Sequence, residues 1–111
     1  MVFKEKLNQA EVKQVGAEYK QVLEKHGIKV DKLVLFGSYA RKNEQPWSDV
    51  DFVVVSNYFG KKNSFDELTE VNILANEVSS LIEAHPATPE EYENGDNPWL
   101  AEAKKYGKEL I

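Results

Sequence analysis

Two short apolar runs, divided by a polar stretch, constrain the fold of this chain more than any other feature of its sequence. Lys32–Phe36 is closed by Gly37, and Val50–Val55 is rich in β-branched residues. Near-continuous apolar runs of this length are typical of strands that are covered on both faces. Because helical patterns lie on either side of them, the two runs predict a sheet covered by helices.

The segment before the first run has the signals of an amphipathic helix from about residue 9 to 25. Asn8 is placed to cap its first turn, and Glu11 completes a capping box three residues later. Gly27 suits the left-handed backbone conformation that often ends a helix. The apolar residues recur every three or four positions, at Val12, Val15, Tyr19, Val22 and Leu23.

Helical spacing returns after the second run, from Phe65 onward, but the end of this helix is ambiguous. A break near residues 79–80 would leave a short strand over residues 81–85, stopped by Pro86. Alternatively, the helix continues through residue 82 without a break. We favour the break, and we expect a last helix over residues 99–106.

Length and composition limit the classes of protein that this chain can represent. At 111 residues it is expected to form one domain, spanning residues 1–111. The net charge of −5 argues against direct nucleic-acid binding, because an acidic surface repels phosphates. The absence of cysteine excludes disulfides, thiolate catalysis and zinc sites of the cysteine type. Without a signal peptide or a run of roughly 20 apolar residues, a cytoplasmic protein with no membrane association is expected.

Gly37, Ser38 and Arg41 stand between the first apolar run and a predicted short helix. Glycine permits a positive φ or a close backbone approach, and Ser38 can cap the helix or donate to a phosphate oxygen. Arg41 can neutralise phosphate charge through its planar fork, or it can pair with Glu44 instead. Taken alone, the segment is explained by a strand-to-helix turn that needs a glycine and a cap.

Asp49 and Asp51 flank Val50 at the start of the second run. Side chains alternate across a strand, so the two carboxylates share a face, with their backbones roughly 7 Å apart. Together they can converge on a cation, and oxygen-only ligands favour Mg²⁺ or Mn²⁺ over zinc. The alternative for an isolated Asp-x-Asp is a solvated strand start with two unrelated aspartates.

In combination the two motifs are more specific. Gly37-Ser38, ten residues, and then Asp49-x-Asp51 resembles the signature of the DNA polymerase β-like nucleotidyltransferase superfamily. The form Gly-Ser-Tyr-Ala-Arg … Asp-x-Asp-Phe is similar to its minimal nucleotidyltransferases, some of which are antitoxins. The resemblance implies an α+β, two-layer nucleotidyltransferase fold, with a small mixed sheet and helices mainly on one face. One departure is Lys42, where the family usually carries glycine.

The resemblance also implies a third carboxylate on a later strand, three positions before a proline and just ahead of the run Thr-Pro-Glu-Glu. Glu83 takes this position here, before Pro86 and Thr88. If the preceding helix continued through residue 82, Glu83 would instead be an ordinary surface residue. The neighbouring His85 is expected to serve packing.

The implied activity is the two-metal transfer of a nucleoside monophosphate, AMP in the first place, from ATP or another NTP to a hydroxyl acceptor. The three acidic residues would be catalytic and would hold two Mg²⁺ ions, with Mn²⁺ as an alternative. Gly37, Ser38 and Arg41 would bind the phosphates. Because one small domain has little surface left to enclose an acceptor, we expect a helical, HEPN-like partner protein or a homodimer to complete that site. The alternative function is that of an antitoxin whose main role is to cover such a partner, with or without adenylylating it.

Overall fold

The computed structural model describes residues 7–42, 49–95 and 97–110. Within these ranges it contains a four-stranded mixed sheet and five helices, which confirms the predicted α+β class. In chain order the elements are α1 (Gln9–Lys25), β1 (Lys32–Phe36), α2 (Ser38–Arg41), β2 (Val50–Val55), α3 (Ser64–Asn76), β3 (Ile82–Ala87), α4 (Pro89–Asn94), α5 (Pro98–Tyr106) and β4 (Lys108–Glu109).

The strands are ordered β3-β2-β1-β4 across the sheet. β1 runs antiparallel to β2 and to β4, whereas β2 and β3 are parallel and are connected through α3. A parallel pair needs such a crossover because both strands start at the same end of the sheet, so the chain must return to that end between them. As a result, the starts of β2 and β3 lie side by side, and the end of β1 lies next to them.

Alternating residues of the strands form two apolar cores, one on each face of the sheet. The larger core lies under α1 and α3, where Tyr19, Leu23 and Phe52 have no exposed surface. The smaller core packs α4 and α5 against the opposite face through Tyr92 and Leu100. The two long helices therefore share one face, as predicted, and two short helices lie against the other.

The ends of α1 agree with the signals in its sequence. The Asn8 side chain accepts a hydrogen bond from the Glu11 N–H at 2.8 Å, and the Asn8 N–H donates to the Glu11 carboxylate at 3.0 Å. This reciprocal pair is the predicted capping box. At the other end, Gly27 follows the helix with a φ of 86°, in the left-handed region.

The strand predicted over residues 81–85 is present, but its bounds were wrong, because β3 spans Ile82–Ala87 and includes Pro86. Proline is tolerated since β3 is an edge strand, and the N–H that it lacks would have pointed away from β2. The backbone N–H and carbonyl of the neighbouring Ala84 form hydrogen bonds with a side chain instead of a further strand. Asn72 of α3 accepts from the Ala84 N–H and donates to the Ala84 carbonyl, both at 2.9 Å. Asn72 thus takes the place that another strand would occupy at this edge.

The third helix ends at Asn76, so the alternative of an unbroken helix through residue 82 is wrong. The last helix, α5, matches its predicted range to within one residue. Two elements were not predicted, namely β4 and the short helix α4, whose N-cap Thr88 forms a capping box with Glu91. Within the described ranges, no helix combines the length and the apolar character needed to cross a membrane.

Candidate active site

Asp51 and Glu83 stand side by side at the starts of β2 and β3. They are register partners in the parallel pair, and Asp51 also pairs with Phe36 at the end of β1. Register partners project to the same face of a sheet. The two carboxylates therefore lie next to each other, Asp51 half-buried and Glu83 exposed, on the face against which α5 packs.

Gly37 brings the backbone after β1 directly against Asp51. Its φ is 76°, and it is the N-cap of α2. A Cβ built on Gly37 would overlap the carboxylate oxygen Oδ2 of Asp51. Both properties predicted for this glycine, the positive φ and the close approach, are confirmed. Of the two roles considered for Ser38, capping the helix is excluded, because Gly37 holds the N-cap position and Ser38 is the first residue of α2.

The acidic residues around Asp51 alter its protonation. Burial first, and then the carboxylates of Glu83, Asp49 and Glu102, raise the pKa of Asp51 from 3.8 to about 7. Partial burial penalises the charged form, and the like charges repel it. A divalent cation would relieve both effects, since it would displace the proton and pair with the neighbouring carboxylates. The residues present therefore fit a divalent cation.

Three side chains of the described residues form a group that could hold an ion. Asp51, Glu83 and His85 each offer one ligand atom, and these atoms lie within 4.8 Å of one another. Asp49 is not part of this group; it is exposed and precedes β2 by one residue. Its charge still acts on Asp51, as the raised pKa shows. Sharing of a metal ion by Asp49 and Asp51 stays a prediction.

His85 joins the site, although the sequence favoured a packing role for it. It follows Glu83 by two residues in β3, so both side chains lie on the same face. Its Nε2 is 3.6 Å from Glu83 Oε1, and its ring centre is 4.8 Å from that of Trp99 and 5.6 Å from that of Phe36. Burial lowers the pKa of His85, with Glu83 opposing that effect. The two-residue spacing from Glu83 was the signal that could have placed it here.

Arg41 is held by residues of α5. Its Nη2 is 3.5 Å from Oε1 of Glu102, and its Cζ lies 4.6 Å from the ring centre of Tyr106. Glu44, the alternative partner considered from the sequence, lies outside the described residues. Both ends of the Arg41–Glu102 pair are partly exposed, so the pair is weak and exchangeable. Nothing in the sequence pattern indicated Glu102, because it comes from an element far along the chain.

A mixed sheet with two carboxylates at adjacent strand starts, beside a close-packed glycine turn, is the architecture expected of a nucleotidyl-transferring domain. The chain matches the family described as "Nucleotidyltransferase domain" over residues 17–103. It therefore belongs to the nucleotidyltransferase domain family. No curated protein is significantly similar to it in sequence.

Solved structures share the fold at low sequence identity. A candidate nucleotidyltransferase from Sulfolobus solfataricus is 20% identical with a TM-score of 0.61, over 78% of this chain and 75% of that one. A chain of a toxin–antitoxin complex with AMP-PNP is 18% identical with a TM-score of 0.60, over 86% and 72%. A chain of the complex between the tri-AMPylated Shewanella oneidensis HEPN toxin and its MNT antitoxin is 18% identical with a TM-score of 0.57, over 90% and 71%. At these identities the likeness establishes the fold alone.

Proposed function

We propose that this chain is a Mg²⁺-dependent nucleotidyltransferase that moves AMP from ATP to a hydroxyl acceptor. The observation that carries the proposal is the register pairing of Asp51 with Glu83 on adjacent parallel strands. Their carboxylates meet where the Gly37 turn approaches Asp51 without room for a side chain. Membership of the nucleotidyltransferase family supports the class of reaction.

In this proposal Asp49, Asp51 and Glu83 would hold two Mg²⁺ ions. Bound divalent ions neutralise charge on the attacking and leaving oxygens of a phosphoryl displacement. Glu83 is exposed whereas Asp51 is half-buried, which suits Glu83 to receive the acceptor hydroxyl proton. The acceptor oxygen then forms its bond to the α-phosphorus, and the bond to the β-phosphate oxygen breaks.

In this proposal the residues that follow β1 bind the departing pyrophosphate. At Gly37 the backbone comes close to Asp51, so phosphates bound to a cation held by Asp51 would also lie near Ser38. Arg41 exchanges the Glu102 carboxylate for phosphate oxygens, which suit its fork equally well. The Glu102 carboxylate thus keeps Arg41 close to the site between reactions.

The direct test uses the purified chain, Mg²⁺ and α-labelled ATP. Label incorporation into an acceptor should be lost in Asp51→Asn, on the order of 10³-fold, because the residue ligates ions that stabilise the transition state. Asp31→Asn, an exposed aspartate outside the site, is the matched control and should retain activity. If Asp49→Ala and Asp51→Ala bind Mg²⁺ and ATP as well as the unchanged chain, the site assignment is wrong.

A second function, that of an antitoxin covering a helical HEPN-like protein, is favoured by an apolar groove beside the site. The groove, of about 430 Å³, lies between the start of α3 and the start of α5, with Phe65, Leu68, Pro86 and Trp99 among its lining residues. Phe65 and Leu68 of this groove are 71% and 38% exposed, and neighbouring apolar side chains left in contact with water are typical of surfaces that bind a partner. Because His85 lines the groove as well, a partner seated there would reach the carboxylates.

The partner role is tested by co-expression with the helical product of a neighbouring gene, followed by size-exclusion chromatography. Phe65→Ser should abolish the joint peak. Ile73→Ser removes another exposed apolar residue of the same helix, outside the groove, and should preserve the complex. A chain that sediments as a monomer and transfers AMP at the full rate alone would contradict the need for a partner or homodimer.

A further inference from the structure

His85 is the member of the ion-holding group that the resemblance to nucleotidyltransferases does not explain. The resemblance implies acidic ligands only, yet an imidazole lies among them. Its Nε2 is 3.6 Å from Glu83 Oε1, and its ligand atom is within 4.8 Å of that of Asp51. An ordinary surface ion pair accounts for the first contact but not for the second.

The separations are slightly wider than those between ligands of a single ion. Ligand atoms on opposite sides of an ion with bonds of about 2.1 Å are about 4.2 Å apart, and adjacent ligands are about 3 Å apart. The three ligand atoms lie within 4.8 Å of one another. Each would therefore need to move by less than about 1 Å to reach a shared ion with such bonds. Side-chain rotations alone supply movements of that size.

The imidazole is also held in place by its surroundings. Its ring packs at 4.8 Å from Trp99 and at 5.6 Å from Phe36, and only 24% of the side chain is exposed. Phe36 is itself the register partner of Asp51, so the same sheet position fixes both groups. A ring held in this way presents its nitrogen to the carboxylates with little freedom left to lose on binding.

We propose that His85 supplies a nitrogen ligand to the divalent ion held by Asp51 and Glu83, so that the site prefers Mn²⁺ and Co²⁺ to Mg²⁺. This inference rests on the proposed metal site and adds a ligand and a metal preference to it. Mg²⁺ favours oxygen donors, whereas an imidazole raises affinity for first-row transition ions in the Irving–Williams order. His85 is thus the residue that determines metal specificity.

The experiment measures binding of Mg²⁺, Mn²⁺ and Co²⁺ to the full chain by calorimetry, without nucleotide. His85→Gln should weaken Mn²⁺ and Co²⁺ binding by about tenfold or more, while Mg²⁺ binding changes less than about twofold. Electron spin echo spectroscopy of the Mn²⁺ complex should show a directly bound nitrogen in the unchanged chain and none in His85→Gln.

Two further variants separate ligation from packing. His85→Phe keeps an aromatic ring against Trp99 and should show the same loss of Mn²⁺ and Co²⁺ affinity. His26→Gln removes a histidine that pairs with Glu77 at a similar distance, 3.7 Å, away from the site, and should change nothing. Urea unfolding of each variant establishes that it is folded.

The outcomes distinguish this inference from the proposed function. If none of the three ions binds to the unchanged chain, the proposed metal site itself fails, and the inference with it. If Mn²⁺ binds and Asp51→Asn abolishes binding, but the bound nitrogen is absent and His85→Gln behaves like the unchanged chain, the inference alone is overturned. Recovery of Mn²⁺ affinity in His85→Phe would likewise overturn it, because packing would then be sufficient.

Discussion

The two faces of the sheet are built from alternating residues of the same strands, yet they differ in polarity and burial. Beneath α1 and α3, Val50, Phe52 and Val54 are fully buried in the larger core. On the opposite face Val53 and Val55 are also buried, but Asp51 at the start of the strand is half-exposed. One face is apolar along its whole length, and the other is apolar only where α4 and α5 lie against it.

This difference explains how so small a domain can carry a cluster of acidic residues. The burial of Asp51, and then its repulsion by Glu83 and Asp49, oppose folding, as the raised pKa of Asp51 indicates. The apolar burial on the other face does not depend on that cluster, since the side chains of β2 alternate strictly. Stability and chemistry are therefore separable by single substitutions at neighbouring positions of one strand.

The largest expected effect tests the apolar face. Phe52→Ala should lower the free energy of unfolding by about 3–5 kcal/mol, because a fully buried ring is replaced by a cavity. Urea denaturation followed by circular dichroism measures the loss. The folded fraction should keep its Mn²⁺ affinity, and a large fall in that affinity would show that the two faces are coupled.

How far the sequence predicts the molecule depends on how local each feature is. The capping box of α1 and the apolar runs of β1 and β2 depend on residues that are close together in the sequence, so their ranges were predictable. The pairing of β2 with β3 is not local, and Glu83 was assigned only through the family resemblance. The two-residue spacing of His85 from Glu83 could have placed it on the same face, but the rings of Phe36 in β1 and Trp99 in α5 that hold it there are not local to it in the sequence.

A smaller effect is expected at the edge of the sheet, where Asn72 satisfies both backbone groups of Ala84. Asn72→Ala should destabilise the protein by about 2 kcal/mol, because a buried N–H loses its partner and water replaces it only in part. Since Ala84 adjoins Glu83 in β3, metal affinity should fall as well. Asn72→Asp is the informative companion: it keeps the acceptor for the Ala84 N–H but loses the donor to the carbonyl. If the unchanged chain, Asn72→Ala and Asn72→Asp are equally stable, Asn72 does not stabilise the edge of the sheet.

The acidic cluster should lower the free energy of unfolding to an extent that depends on pH. The pKa of Asp51 is raised above its ordinary value, so ionisation of this group weakens folding as pH rises from about 4 through 7. Asparagine cannot ionise, so Asp51→Asn should be more stable than the unchanged chain at pH 8 by about 1–2 kcal/mol, after allowance for solvent screening. At pH 4 the difference should vanish.

Thermal unfolding at the two pH values measures this difference, and added Mg²⁺ provides the control. The ion should raise the melting temperature of the unchanged chain at pH 8 and have little effect on Asp51→Asn. A stability gain that persists at pH 4 would point to packing rather than charge.

The smallest effect concerns backbone strain, which among the described non-glycine residues is found at Lys42, the C-cap of α2. Lys42 ends α2 with φ 62° and ψ 32°, the left-handed conformation that side chains other than glycine disfavour. Lys42→Gly, the residue usual in the family, should therefore raise the free energy of unfolding by about 0.5–1 kcal/mol, net of the greater freedom of glycine in the unfolded chain. Lys13→Gly, in the middle of α1, should instead lower it by about 1 kcal/mol. If both substitutions destabilise equally, the left-handed turn at Lys42 carries no strain, and the lysine is as well suited to this position as glycine.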